Sequence, residues 1–571
     1  MKLLTRAALP SPLWLIISMA VFIAIWMVTL ELGFKSSNLL SDLTPMTTRL
    51  RWELIPPVFL AALLFLAQWS VGGFRVQAAA LMQQQQAQQQ ADTEQRAQSA
   101  AAQATAQRQY TLEIRGIGLT VARFRQHEVW DRLNAVNNPQ KSILSQNPND
   151  YKWSREERCL VFSRRENDVL MNAINWWGER WPIPVLIAGP GPYPPAEDLN
   201  SAGATAGMGI TLYTLLGEHK GEGADQLVNT LFQWFDDNPD LPAVVVMSWD
   251  TQEFRPKEAS QQTIGSHFYP GNGLFVPTLP DSIGALLVTR SDRVDRIIRP
   301  HLVDVPYDIN LDDKQYDVIK LWNAYWKADR ERIASLSKAS PTSPIEYWIP
   351  SWDYWRPEAE KLIAGIDPNG SQGSFQAFWS HENTGFKPSP WVPVRWTQWQ
   401  MEEYDKAPRL GYLHRPVDIS LTDAHQTPLS SAEQAKAVSH GWKAAMATLP
   451  TEQAPAWLLY DTGKDRRHVI ALSRGLALAD PEHGLDPGNA QHSFNLMDRI
   501  GDTGVSSPFV LLTLAVMRSY DQGGVSATVN LRQAERASII MVSPPSEADK
   551  ARNVGPLKAN PFQHPNPFAG E

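Results

Sequence analysis

Pro242-Ala243-Val244-Val245-Val246-Met247 is a short, unbroken apolar run rich in β-branched residues. Ile210-Thr211-Leu212 precedes it, followed by a stretch that carries Leu227, Val228, Leu231, Phe232 and Phe235 on one helical stripe. Ala285 to Val288 adds another apolar strand after it. Strands buried on both faces read as continuous apolar runs, and strand–helix–strand order pairs strands in parallel through a crossover helix. The order then recurs. Ile419-Ser420-Leu421 leads to a helix opened by Ser430 and Glu433 as a capping box, with Ala435, Val438, Trp442, Met446 and Leu449 on its stripe. Pro455-Ala456 and Trp457-Leu458-Leu459-Tyr460 follow, and the apolar run Phe509 to Met517 reads as the next strand. The expected fold is therefore α/β, with a body of two similar, pseudo-duplicated α/β units. Two ordinary βαβ units alike by chance fit the same pattern.

Working outward, Tyr110 to Val121 alternates as a strand does, and Pro184 to Ala188 is a short buried strand ending in Gly189-Pro190-Gly191-Pro192. The prolines remove amide donors that a phosphate cradle needs, so this loop reads as a structural turn. Two apolar runs near the start, within about 13–33 and 55–74, approach the length that crosses a ~30 Å hydrocarbon core. They are expected to form a membrane hairpin over 1–75. An Ala/Gln-rich helical stalk is expected over 76–109, since both residue types favour helix and little there could build a core. The remaining expectations are a first α/β unit over 110–310, a Trp-rich connecting segment over 311–405, a second unit over 406–542 and a Pro-rich disordered tail over 543–571.

The net charge of −8, without a dense Lys/Arg block, argues against nucleic-acid binding. Cys159 is the single cysteine, which rules out an intramolecular disulfide and a Cys-rich zinc site and leans towards the cytoplasm. No two of the twelve histidines have helical metal-pair spacing, and no phosphate-binding Walker loop or Gly-x-Ser-x-Gly elbow is present. No metal or cofactor is expected. Ser439, in Ala437-Val438-Ser439-His440-Gly441, falls inside a helical pattern, and Ser248 follows a strand but lacks the glycines of an elbow. No catalytic residue is assigned.

Nine tryptophans lie between Trp322 and Trp399. Tryptophan dominates interface hot spots, but it also packs cores, and packing between the two halves is the simpler reading. Trp348, Trp352 and Trp355 are the candidate partner-binding residues here. Phe562 and Phe568, each in an Asn-Pro-Phe repeat of the tail, are candidates to anchor into a partner or onto the body.

Trp176-Trp177-Gly178-Glu179-Arg180-Trp181-Pro182, the run Ala188-Gly189-Pro190-Gly191-Pro192-Tyr193, and Arg499-Ile500-Gly501-Asp502-Thr503-Gly504 with the apolar run after it resemble one bacterial family, the lipase adaptors of type VI secretion. The resemblance covers the whole chain. It implies a non-enzymatic adaptor that holds a lipase or phospholipase toxin in the cytoplasm of the producing cell. It also implies loading of that toxin onto the spike protein, through a transthyretin-like extension of the spike, with the hairpin available to anchor the adaptor in the inner membrane. An α/β-hydrolase-like enzyme and a membrane-anchored scaffold unrelated to secretion are the competing classes.

Overall fold

The computed structural model describes residues 110–135, 141–151, 155–174, 182–191, 212–251, 276–304, 317–339, 349–364, 385–450, 453–481, 484–553 and 561–562, with the helical stretch 20–28 and scattered further helical residues between 17 and 96. Two compact units are present, Met1–Ala106 and Gln107–Glu571. Most of the two apolar runs and of the Ala/Gln stretch lies outside the described residues. Among the described residues, no helix is long and apolar enough to cross a membrane.

The described strands of the larger unit form one twelve-stranded sheet. In chain order these are β1 (Thr111–Val121), β2 (Phe124–Arg125), β3 (Pro182–Gly189), β4 (Leu212–Lys220), β5 (Ala243–Asp250), β6 (Ser282–Thr289), β7 (Gly411–His414), β8 (Val417–Ser420), β9 (Pro455–Asp461), β10 (Ser493–Asn495), β11 (Val525–Asn530) and β12 (Arg536–Ser543). The spatial order is β10-β9-β11-β12-β7-β1-β6-β5-β3-β4, with β2 on β1 and β8 on β12. Counted outward from the central β1–β7 pair, one half reads 1, 6, 5, 3, 4 and the other 7, 12, 11, 9, 10, the same order six strands later. The pairing senses match too. β3 is parallel to β4 and β5, and β9 to β10 and β11, whereas β5–β6 and β11–β12 are antiparallel. Antiparallel pairing of Thr111–Ile114 with Gly411–His414 fuses the halves into one sheet.

The duplication therefore exists in the topology, but in a different register from the sequence reading. β9, with Trp457 to Tyr460, occupies the place of β3 rather than that of Val244 to Met247 in β5. A second correction concerns Phe509 to Met517, which is not a strand. It lies in a helix, Ser507–Gln522, whose residues from Ser507 to Met517 are all buried. A helix buried on every side loses its amphipathic stripe, so periodicity cannot separate it from a buried strand. Its punctuation does: Pro508 sits in the first turn, and Gly523 closes it with φ 71°.

Helices of this unit, in chain order, are α1 (Gln126–Ala135), α2 (Arg155–Ile174), α3 (Gln226–Asp237), α4 (Ser291–Ile297), α5 (Asp317–Ala339), α6 (Trp352–Ile363), α7 (Gln398–Lys406), α8 (Ser431–Met446), α9 (Arg466–Ala479), α10 (Leu496–Arg499), α11 (Ser507–Gln522) and α12 (Glu547–Asn553). The anticipated capping box is present at α8, with Ser430 accepting from the Glu433 N–H and Glu433 accepting from the Ser430 N–H. In α3 the expected stripe, Leu227, Val228, Leu231, Phe232 and Phe235, is buried. The tail departs from its expected disorder: Glu547–Asn553 is helical and Phe562 is buried.

Candidate partner-binding sites

The Trp-rich segment packs onto the chain itself. Ser351 caps α6 by accepting from the Tyr354 N–H, which sets Trp352 and Trp355 on the inner face. Trp352 stacks on Trp391, and Trp234 of α3 meets both edge-on, with centroids 6.5 and 5.9 Å away. Trp355 lies 5.1 Å from Tyr325 of α5, whose hydroxyl donates to the Tyr213 carbonyl on β4. The Leu215 N–H donates to Pro350 O, so residues 350–351 close the β4 edge of the sheet. These tryptophans thus cover one half and its edge, rather than the seam between halves that was expected. Trp348 and Phe568 lie outside the described residues. Phe562 is buried, meets Tyr520 of α11 edge-on at 5.1 Å, and its carbonyl accepts from Gln126 Nε2 at 2.5 Å.

At the other end of the sheet order, β10 is an edge strand of three half-buried residues. Beside it opens a groove of about 500 Å³ with aromatic walls from Trp130, Trp457, Tyr460 and Phe494. The walls are held from behind. Trp457 Nε1 donates to Gly523 O at 2.7 Å, and Arg518 lies over the Trp457 ring at 4.1 Å. Trp130 Nε1 donates to Asp521 at 2.5 Å. Burial pushes the Asp521 carboxyl above its ordinary value, against the Trp130 hydrogen bond that pulls it down. Ala490, Gln491 and His492 are exposed at the groove. The sequence reading missed this site, because Trp457 and Tyr460 sat within a strand and only sheet order makes β10 an edge.

The strand ends where hydrolase chemistry was considered are filled by structural hydrogen bonds. Ser248 is fully buried and donates to Val505 O at 3.2 Å, while Asp250 accepts from the Val505 N–H at 2.6 Å. Ser439 is a helix residue in α8, as its pattern indicated. On the other half, Asp461 accepts from Ser507 and from Arg532 Nη1, the latter at 2.9 Å, and Arg532 Nη2 donates to Asp502 at 2.7 Å. Burial pushes the Asp502 carboxyl up, but Arg532, the Gly504 N–H and Lys464 outweigh it and hold the group below its ordinary value. Among the described residues, no group of three or more His, Cys, Asp or Glu residues could hold a metal ion.

Two family models match the chain, one on each half of the sheet. Residues 110–267 match the N-terminal model of the type VI lipase adapter protein Tla3, and residues 410–544 match its C-terminal model. Among solved structures, acetamide-bound OleA of Xanthomonas campestris is similar at 11% identity and TM-score 0.34, covering 76% of this chain and 99% of that one. Cerulenin-bound OleA gives 12% and 0.35, covering 76% of this chain and 99% of that one.

Proposed function

The chain belongs to the type VI lipase adapter family, and we propose that it binds a lipase toxin through the aromatic groove at the β10 edge. The observation that carries the adapter reading is the match of both halves to the two models of that family. The groove is favoured for the contact because residues 350–351 bridge the opposite sheet edge at Leu215, whereas aromatic walls beside β10, the last strand of the order among the described residues, suit peptide capture. On this reading the chain works without catalysis, and Ser248 and Asp250 keep the architectural hydrogen bonds described above. The loaded adapter then meets the secretion spike, with a transthyretin-like extension of the spike as second partner, on the cytoplasmic side before export.

Co-purification of the full chain with the lipase and the spike tests this proposal. A stable ternary assembly without ester hydrolysis by the adapter supports it. Ala490→Arg, at an exposed groove position, should weaken lipase capture about tenfold or more while leaving the fold intact. Unchanged capture in that variant would move the lipase contact elsewhere. Ester hydrolysis by the adapter alone, lost on Ser248→Ala, would replace the adapter reading with an enzymatic one.

A further inference from the structure

Where the halves of the sheet meet, β1 is irregular. Ile114 faces Val288 and Gly116 faces Leu287 across β6, which leaves Arg115 as the extra residue of a β-bulge. Bulges re-aim a side chain out of the regular alternation. Gly116 lets the strand press against α2, since a Cβ there would lie 1.9 Å from the Ala173 carbonyl oxygen. The result is an arginine only 3% exposed. It forms part of the wall of a cavity of about 290 Å³, together with Ser291, Arg299, Lys406, Arg409, Asp549 and Arg552.

The Arg115 guanidinium is underused by the chain. Its Nη2 donates to Tyr404 O at 2.5 Å, and its plane lies over the Tyr404 ring at 4.6 Å. Nη1 is 3.7 Å from Glu113, too far for a hydrogen bond, and buried Nε has no acceptor. A buried donor left in that state is destabilising, more so when charged. Burial itself depresses the Arg115 pKa, and Glu113 opposes that only in part.

The nearby carboxylates are already engaged. Glu113 accepts from Ser291 at 2.5 Å and lies 3.5 Å from Arg409. Asp549 accepts from Arg409 at 3.1 Å and from Arg552, and Asp405 takes both Nη atoms of Arg299, at 2.8 and 2.7 Å. Asp295 accepts from Arg299 Nε at 2.8 Å. Around the cavity, Arg115, Arg299, Lys406, Arg409 and Arg552 thus exceed Glu113, Asp295, Asp405 and Asp549 by one positive charge.

We infer that this cavity is a binding site for a small oxyanion of the phosphate class, with Arg115 as its buried donor and Arg409, Arg552 and Lys406 completing the cationic wall. Guanidinium groups match phosphate oxygens in geometry and form strong charge-assisted bonds with them. The occupant would also tie the end of the chain to the sheet. Helix α12 supplies Asp549, Arg552 and Asn553, and Asn553 exchanges two hydrogen bonds with the Arg409 backbone, at 2.9 and 2.7 Å. The site is independent of the lipase-binding proposal.

Calorimetric titration of the full chain with inorganic phosphate, at ionic strength held constant with chloride, is the test. The expected result is saturable binding and a phosphate-dependent rise in Tm. Arg552 is largely exposed, so Arg552→Ala should fold normally and bind phosphate about tenfold more weakly, the loss of one charge-assisted bond. Arg115→Gln should abolish binding, and Lys406→Ala replaces it as the second variant should Arg115→Gln fail to fold. Capture on phosphatidic-acid vesicles, competed by free phosphate, would assign a lipid headgroup as the source, and phosphate binding without vesicle capture would assign a soluble one. Absence of saturable binding, unchanged affinity in the variants, or acetate binding as tightly as phosphate would overturn the inference.

Discussion

Trp352 lies flat against Trp391, with ring centroids 3.5 Å apart and planes 5° from parallel. The two residues come from separate parts of the Trp-rich segment, and Trp234 seals the pair from α3. Three large rings drawn from distant points of the chain make this cluster a clamp that holds the segment to the sheet.

Removal of either inner tryptophan should therefore register in stability first. Trp352→Ala and Trp355→Ala are each expected to cost about 3–5 kcal/mol, as truncations of buried aromatics do. Urea unfolding followed by tryptophan fluorescence and circular dichroism measures this. A wild-type midpoint combined with lost lipase binding would instead make these residues direct partner contacts.

Gly284 of β6 lies under the first turn of α11. A Cβ on Gly284 would sit 2.8 Å from the Phe509 carbonyl carbon, and backbone cannot move aside as a flexible side chain can. Gly284→Ala should lower stability by about 1–3 kcal/mol through overpacking of the contact that joins the halves. Thermal unfolding at neutral pH is the measurement, and an unchanged Tm would show that the helix shifts freely.

Arg532 neutralises a carboxylate that is fully buried. Arg532→Met should cost about 3–5 kcal/mol, because the buried Asp461 carboxylate would lose its countercharge and keep only the Ser507 hydroxyl and the Gly463 N–H. Asp502, whose folded pKa is depressed, contributes stability above its unfolded pKa and loses it as pH falls through the folded value. The acid limb of the wild-type stability curve should therefore be shallower in Arg532→Met, and superimposable limbs would remove Asp502 from the account.

His414 supplies a second pH dependence. Its Nδ1 bonds Thr448 O at 2.9 Å and its Nε2 bonds Ser543 Oγ at 2.7 Å, so a neutral ring donates at Nδ1 and accepts at Nε2. Burial pulls its pKa down to about 4, against the partial support of the Thr448 carbonyl. The unfolded chain binds the proton first, so stability is complete above the unfolded pKa of about 6.5 and declines as pH falls from there towards 4. The loss should approach about 3 kcal/mol at the low end. His414→Gln, measured across that range, should flatten the slope, and an unchanged slope would assign it to other groups.

Much of the architecture was legible where local chemistry speaks. The α8 capping box, the stripe of α3 and the apolar cores of β3, β5, β6 and β9 all lie where residue pattern puts them. Helix α11 was misread because burial on every side erased its periodicity, although Pro508 and Gly523 marked its ends. The groove at β10 had no local signature. Its walls come from α1, β9 and β10, and nothing in their separate sequences says that they share a concavity.

By itself the sequence determined an α/β class and the resemblance to the lipase adaptors, since these rest on short-range pattern and on texture carried along the chain; the duplication it offered fitted chance equally well and paired the wrong strands. Tertiary structure alone decided that the halves share one sheet through β1 and β7, that β9 answers to β3, and that Trp352 and Trp355 face inward. It also placed Arg115 on a bulge facing Arg409 and Arg552. Strand order and burial depend on contacts between residues hundreds of positions apart, and such contacts leave no trace in local periodicity.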